Sequence, residues 1–325
     1  MSSMDFAAVD QLTRSEIWSE SLKETLKDIL MGQVFVNWMT NFPDGTTFTI
    51  PSIGEATMRE VSENQPAVYD ALDTGEFQFS IDRYVESGLF ITDKAKQDAY
   101  YSAQLIAQFE PKMRRAIEEN LETSIMLLGH SQTLTDPNTI NGASHRFVAA
   151  GNTNTTLALE DFAYAKYAMD KANATQRRVA IIDPSQEFQF NTLTNIVNVS
   201  NNPVFEGIVN GGFVNSTTGM HFVKHVYGFD VYVSNYLNVI SGTEAINADN
   251  RGSVVSPSGA VENLFISVGG DETPFKGAWR QMPRVEYGRN KDLRRDEYLM
   301  NARFGLKLYR PECLVVALSK VTPVR

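Results

Sequence analysis

The sequence predicts an α+β fold, and three observations carry the prediction. Phe77, Phe79, Ile81 and Val85 fall on alternate positions, the period of a strand with one apolar face, while Gln78, Ser80, Asp82, Tyr84 and Glu86 fill the other. From Asp93 the period changes, and Ala95, Ala99, Ser102, Ile106, Met113, Ile117, Leu121 and Leu128 follow helical spacing. Near the C-terminus, "RVEYGRN" and "NARFGLKLYRPECLVVALS" read as strands. Helices and strands do not alternate regularly along the chain, which argues against a doubly wound parallel sheet.

The elements follow in order. Thr13 and Glu16 form a capping box, Trp18, Leu22, Leu26, Ile29 and Leu30 make an apolar stripe, and Gly32 offers a C-terminal stop, so the chain opens with an amphipathic helical arm. A Pro43-Asp44-Gly45 turn leads into residues 46–61, the expected partner of the 77–86 strand. Such a strand extends about 33 Å, and a two-stranded ribbon is marginal in water until something covers its apolar face. Phe77, Phe79 and Ile81 are therefore expected to be covered either by the body of the same subunit or by a neighbouring subunit, and the ribbon reads as stable mainly through a neighbour.

The helix from 93 to 128 would run about 54 Å if continuous, with Pro111 a possible kink. Residues 129–156, rich in Asn, Thr and Gly, read as a loop. A second amphipathic helix carries Leu159, Phe162, Ala165 and Met169, followed by the strand "RRVAII" and a helix started by Pro184. A polar excursion over 198–219 precedes "MHFVKHVYGFDVYVSNYL", two strands around Tyr227-Gly228.

At 325 residues, 42% apolar and 21% charged, the chain has enough material for a sizeable core. A net charge of -10 argues against general nucleic-acid binding, since phosphates would be repelled. A single cysteine, Cys313, forms no internal disulfide, and no window is apolar for long enough to span a membrane. Phosphate-loop, dinucleotide, nucleophile-elbow, zincin and C-x-x-C motifs are absent from the sequence.

Four chemical candidates each have a plainer reading. His221 and His225 have helical metal-ligand spacing, yet on a strand they stand about 13 Å apart. Cys313 sits in the apolar run "ECLVVAL", as a packed thiol does. Asp271 and Glu272 are adjacent in a Gly-rich turn and point apart, and Asp183 organises the turn into Pro184. No catalytic, cofactor or metal residue is expected.

Charge is distributed unevenly. Residues 55–86 carry eight acidic side chains against Arg59 and Arg83, whereas 276–310 carry ten basic ones against four acidic. This net -6 and net +6 read either as two solvated faces or as a head-to-tail contact between subunits. Such a contact would set Glu76, Asp82 and Glu86, with Phe77, Phe79 and Ile81, against Arg280, Arg284, Arg289, Arg294 and Arg295 of the next copy.

An arm, an extended hairpin, a long helix entered through "GLFITDKAKQDA", strands "AIIDP" and "GFDVYVSNYL", and a closing "NARFGLKLYRPECLVVAL" together resemble the major capsid proteins of tailed bacteriophages, with the HK97-type fold. The segment from Phe304-Gly305 to Arg310-Pro311-Glu312 is the most specific part of the likeness. The resemblance implies an N-terminal arm (1–45), an extended loop (46–90), a peripheral domain with a spine helix (91–156), an axial domain (157–275), peripheral strands (276–312) and a C-terminal strand and tail (313–325). It further implies hexamers and pentamers of an icosahedral shell around double-stranded DNA, without tight specific DNA binding. The implied partners are copies of itself, a separate scaffolding protein, a portal protein at one vertex and a decoration protein. The implied locations are the virion and, during assembly, the host cytoplasm. Residues 46–90 contain no lysine, so the lysine-to-asparagine cross-link of some members is not expected. The rival readings are an encapsulin-like compartment shell and a soluble α+β enzyme.

Overall fold

The computed structural model describes residues 30–39, 47–53, 74–98, 109–131, 139–150, 155–191, 222–243 and 255–320, with a few single positions between them. A short 3-10 turn, Gly32–Phe35, leads into β1 (Val36–Met39), and β2 (Thr47–Ile53) and β3 (Thr74–Ser80) form a two-stranded hairpin. β4 (Arg83–Thr92) runs straight into helix α1 (Asp93–Asp98), and helix α2 spans Phe109–Leu127. Short strands β5 (Thr139–Ile140), β6 (Ala143–Ser144) and β7 (Arg146–Val148) precede α3 (Leu159–Lys171), β8 (Arg177–Ile182) and α4 (Pro184–Asn191). β9 (Phe222–Val226) and β10 (Phe229–Val233) form a hairpin, followed by β11 (Ala260–Val268), β12 (Phe275–Asn290), β13 (Arg295–Leu308) and β14 (Leu314–Lys320).

Two larger sheets organise these elements. One has six strands in the order β7-β14-β11-β8-β10-β9, the other four in the order β1-β12-β13-β4. The six-stranded sheet is covered on both faces. Phe162, Ala165 and Met169 of α3 pack on one side with Phe229, Val231, Phe265 and Val315, and Leu121 and Ile125 of α2 pack on the other with Val179, Ile181, Leu264 and Val316. Burial on both faces explains why β8, β11 and β14 read as nearly unbroken apolar runs. In the four-stranded sheet α2 covers one face, with Met113 and Ile117 packed on Met300 and Ala302 and flanked by Val85, Leu89 and Val285, while the β2–β3 hairpin covers the other only around Ala278 and Gly305. Tyr84, Glu86, Phe90 and Arg284 face outward and are exposed.

The α+β expectation holds, and the structure moves several boundaries. The period-two run from 77 to 86 is not one strand. It breaks at Ile81-Asp82, where the chain leaves β2 and begins pairing with β13, Arg83 opposite Phe304. A side-chain pattern cannot register this break, because both halves keep one face buried. Residues 129–156 are not wholly loop, since β7 pairs in parallel with β14, Val316 opposite Arg146. The strand pair around Tyr227-Gly228 is as expected, with φ of 49° and 89° at the turn. Gly32 is not a left-handed helix stop: it begins the 3-10 turn, and an added Cβ there would lie 2.8 Å from Glu122 Oε2. The arm helix, the Pro43 turn, the 198–219 excursion and the continuity of α1 with α2 lie outside the described residues.

Candidate assembly interface

The hairpin is seated on its own subunit. Phe79, opposite Phe48 in the ladder, is fully buried, and with Ile81 it packs on Ala278. Phe77 meets Tyr309 edge-on at a centroid distance of 4.9 Å, and the Lys307 ammonium lies 4.9 Å from the Phe77 ring. Lys307 Nζ also donates to the Gln78 carbonyl at 2.7 Å, while Lys276 caps the other side of Tyr309 at 4.2 Å. Gly305 lets the backbones close up, since a Cβ there would sit 2.4 Å from the Ser80 carbonyl oxygen. Of the two covers the sequence allows, the subunit's own body is the one seen: β12, β13 and Tyr309 of the same chain lie against Phe77, Phe79 and Ile81, which corrects the reading of a ribbon stable mainly through a neighbour.

The charged set also divides. Glu76 stands on the hairpin, Asp82 at the break and Glu86 on β4, in the same row as Asn301 and Arg284 of the four-stranded sheet. Glu86 is thus not part of the reaching ribbon. Arg289 is engaged inside the subunit: its Nη1 and Nη2 donate to the Asp93 carboxylate at 2.9 and 2.7 Å, and Nη1 to Asp296 Oδ1 at 2.8 Å. Lys96 completes the group through Asp296. Two cations and two carboxylates cancel locally, which removes Arg289 from the unpaired positive charge. Hydrogen bonding to Arg289 holds the Asp93 carboxyl below its ordinary value, and Lys96 with Arg289 does the same for Asp296. Arg295 donates to Glu297 at 2.6 Å and stacks over Phe90 at 4.6 Å, so it too is held in place. Glu76, Asp82, Glu86, Arg284 and Arg294 remain exposed, with no ion partner among the described residues.

The strand β12 is distorted where it meets α2. Its register with β13 shifts twice, between Trp279 and Gln281 and again before Arg284. This double bulge, with Pro283 inside it, turns Met282 outward.

Two residues that hold this geometry escaped the sequence reading. Glu122, buried in α2, accepts from the backbone N–H groups of Met31 and Gly32 at 3.1 and 2.7 Å, fixing the start of the 3-10 turn against α2. Its signal was a lone carboxylate inside the apolar stretch "LETSIML". Gly305 was visible as a glycine in the middle of a strand, a mark of close backbone approach.

The chemical candidates take structural roles. Cys313 is buried, and burial pushes its thiol up to about 11, away from nucleophilic character at neutral pH. Glu272 accepts from the Gln176 N–H at 3.0 Å and from Ser267 Oγ at 3.1 Å. Asp183 accepts from the Ser185 N–H at 2.9 Å, capping the turn into α4. His225 pairs with Asp230 at 3.0 Å, and His221 lies outside the described residues. Among the described residues no three acidic, His or Cys groups converge as metal ligands, and no helix is long and apolar enough to cross a membrane.

Comparison with known proteins agrees with this architecture. A family model described as phage capsid protein matches residues 75–317. A search of curated protein sequences finds no match. Among solved structures, the capsid of the cyanophage P-SCSP1u aligns at TM-score 0.69 and 16% identity over 96% of this chain and 94% of that one. A structure from Mycobacterium phage Che8 aligns at 0.62 and 14% over 93% and 96%. The holo-SrpI encapsulin from Synechococcus elongatus PCC 7942 shares the fold at 0.58 and 14%, over 99% and 98%. The chain belongs to the phage capsid protein family and has the HK97-type fold of a shell subunit.

Proposed function

We propose that this major capsid protein closes into hexamers and pentamers of an icosahedral shell around double-stranded DNA, in a purely structural role. The observation that carries the reading is the half-covered four-stranded sheet, whose outer face leaves Glu86 and Arg284 exposed beside Tyr84 and Phe90. Glu76 and Asp82 on one subunit and Arg284 and Arg294 on the next are the charges set against each other, and Arg280 belongs to the same basic face. In the domain division 1–45 is the arm and 46–90 the extended loop, whose last residues, from Arg83, pair with β13 in the body. α2 with the 276–312 strands forms the peripheral domain, and 157–275 with the final strand forms the axial one. Residues 146–148 go with the axial sheet, because β7 pairs there. A separate scaffolding protein, a portal protein at one vertex and a decoration protein are the expected partners. The subunit assembles in the host cytoplasm and resides in the virion.

Arg284→Glu tests the contact. The variant is expected to leave the thermal midpoint of the soluble subunit unchanged while abolishing large particles in sedimentation and negative-stain microscopy, with scaffold present. Charge reversal at Glu76 or Asp82 is expected to recover part of the assembly. Wild-type protein that forms only small uniform oligomers with scaffold present would overturn the shell reading, and particles filled with a protein cargo would replace it with a compartment shell.

A further inference from the structure

The four-stranded sheet ends in a strand that is paired on one side only. β4 is last in the order β1-β12-β13-β4, and all ten of its residues pair with β13 without a register shift. Its other edge makes no backbone hydrogen bond among the described residues. About half of the N–H and C=O groups of the strand therefore face outward without a ladder partner. Folds usually blunt such an edge with proline, lysine or a bulge, and "RYVESGLFIT" has none of the three. Tyr84 and Phe90 stand on it 63% and 58% exposed. On the helix side a cleft of about 350 Å³ lies between β4 and α2, lined by Val85, Glu86, Ser87, Ala116, Ile117 and Asn120. The short side chains of Ser87, Ala116 and Asn120 leave room there for an added strand.

We propose that the partner of this edge is β4 of a second copy, running antiparallel about a two-fold axis through Ser87. In that register the strand is its own complement. Tyr84 comes opposite Phe90 of the second copy and Val85 opposite Leu89, each pair twice, and Glu86 comes opposite Gly88, so no like charges are directly opposed. Each residue faces one of the same parity, so the aromatic side of one sheet continues into that of the other, and the helix-covered side does the same. A shift of two residues would set Tyr84 against Thr92 and Glu86 against Phe90, losing the aromatic matches. The overlap from Arg83 to Ile91 extends about 30 Å, and the two four-stranded sheets become one. The inference rests on the shell reading in taking a second copy as the partner, and it adds an edge contact to the charged one.

Ser87→Cys tests it, because the axis sets residue 87 opposite itself, with Cα atoms about 4.5–5.5 Å apart and within reach of a disulfide. The full chain is oxidised with copper phenanthroline, both as concentrated soluble subunit and as particles assembled with scaffold. The expected product is a disulfide dimer on non-reducing gels in at least one preparation, about fivefold or more above that from Glu86→Cys, whose thiol would face Gly88. Cys313 is buried and its thiol is held protonated, so it contributes little background. Absence of the dimer in both preparations, or equal dimer from both variants, overturns the proposal. Particles without the dimer remove only the edge contact, whereas a dimer without particles supports it and removes the shell. A second measurement needs no substitution. Amide exchange across β4 of the wild-type chain is expected to be about tenfold slower in the associated protein than in dilute subunit. Equal rates overturn the pairing, and protection of dilute subunit by scaffold alone would give the edge to scaffold and overturn it as well.

Discussion

In the six-stranded sheet, residues 179–182, 260–267 and 314–319 are buried without interruption because α3 covers one face and α2 the other. In the four-stranded sheet, β4 alternates: Val85, Leu89 and Ile91 turn inward, while Tyr84, Glu86 and Phe90 turn to solvent. The same chain thus holds one sheet that completes its own core and one that leaves a face open. The closed sheet completes the subunit's core, and in the proposed assembly the open one offers surface to other copies. Substitutions in the first should change folding, and those on the outer face of the second should change association.

The largest effect is expected at Phe265, whose ring meets Phe162 and Phe229 edge-on at 5.1 and 5.2 Å in the closed core. Phe265→Ala should destabilise the subunit by about 3–5 kcal/mol, read from chemical denaturation. Gly305→Val lies where the four-stranded sheet meets the hairpin, and the backbone of Ser80 cannot yield as a flexible side chain would. It should cost about 1–3 kcal/mol and should displace the hairpin, seen as faster hydrogen exchange across β2 and β3. A smaller loss in assembly than in stability would blur the comparison.

Acid should loosen the open region first. Asp93 and Asp296 have folded values below the ordinary 3.8, so their stabilising contribution is present above that value and is lost as the pH falls through the folded values. Amide exchange at the tip of the β12–β13 hairpin should therefore rise below about pH 4. Arg289→Gln should move that transition upward, toward 3.8. The smallest effect is expected at Arg114, whose exposed bond to Glu118 spans 3.0 Å. Arg114→Ala should cost only about 0.3–0.5 kcal/mol in the same denaturation measurement.

The closed sheet was the more legible of the two in sequence. "RRVAII" and "ECLVVAL" announce buried strands, and Phe162 to Met169 announce the helix above them, because continuous burial writes continuous apolar runs. The order of pairing was not legible: nothing in "HRFV" tells that β7 lies beside the final strand, since partners 170 residues apart leave no local trace. The open region misled in a specific way. Phe77, Phe79 and Ile81 do mark a face that must be covered, but a strand pattern states the need for cover without naming what supplies it. The charge blocks were likewise real in composition, while the pairing of Arg289 with Asp93 and Asp296 could be seen only once the β12–β13 tip and α1 were brought together.

The contact between Gly305 and Ser80 makes the hairpin a lever with its fulcrum at the body. The seven residues of β3 extend about 23 Å from that point, so a tilt of about 10° at the base sweeps the far end through about 4 Å.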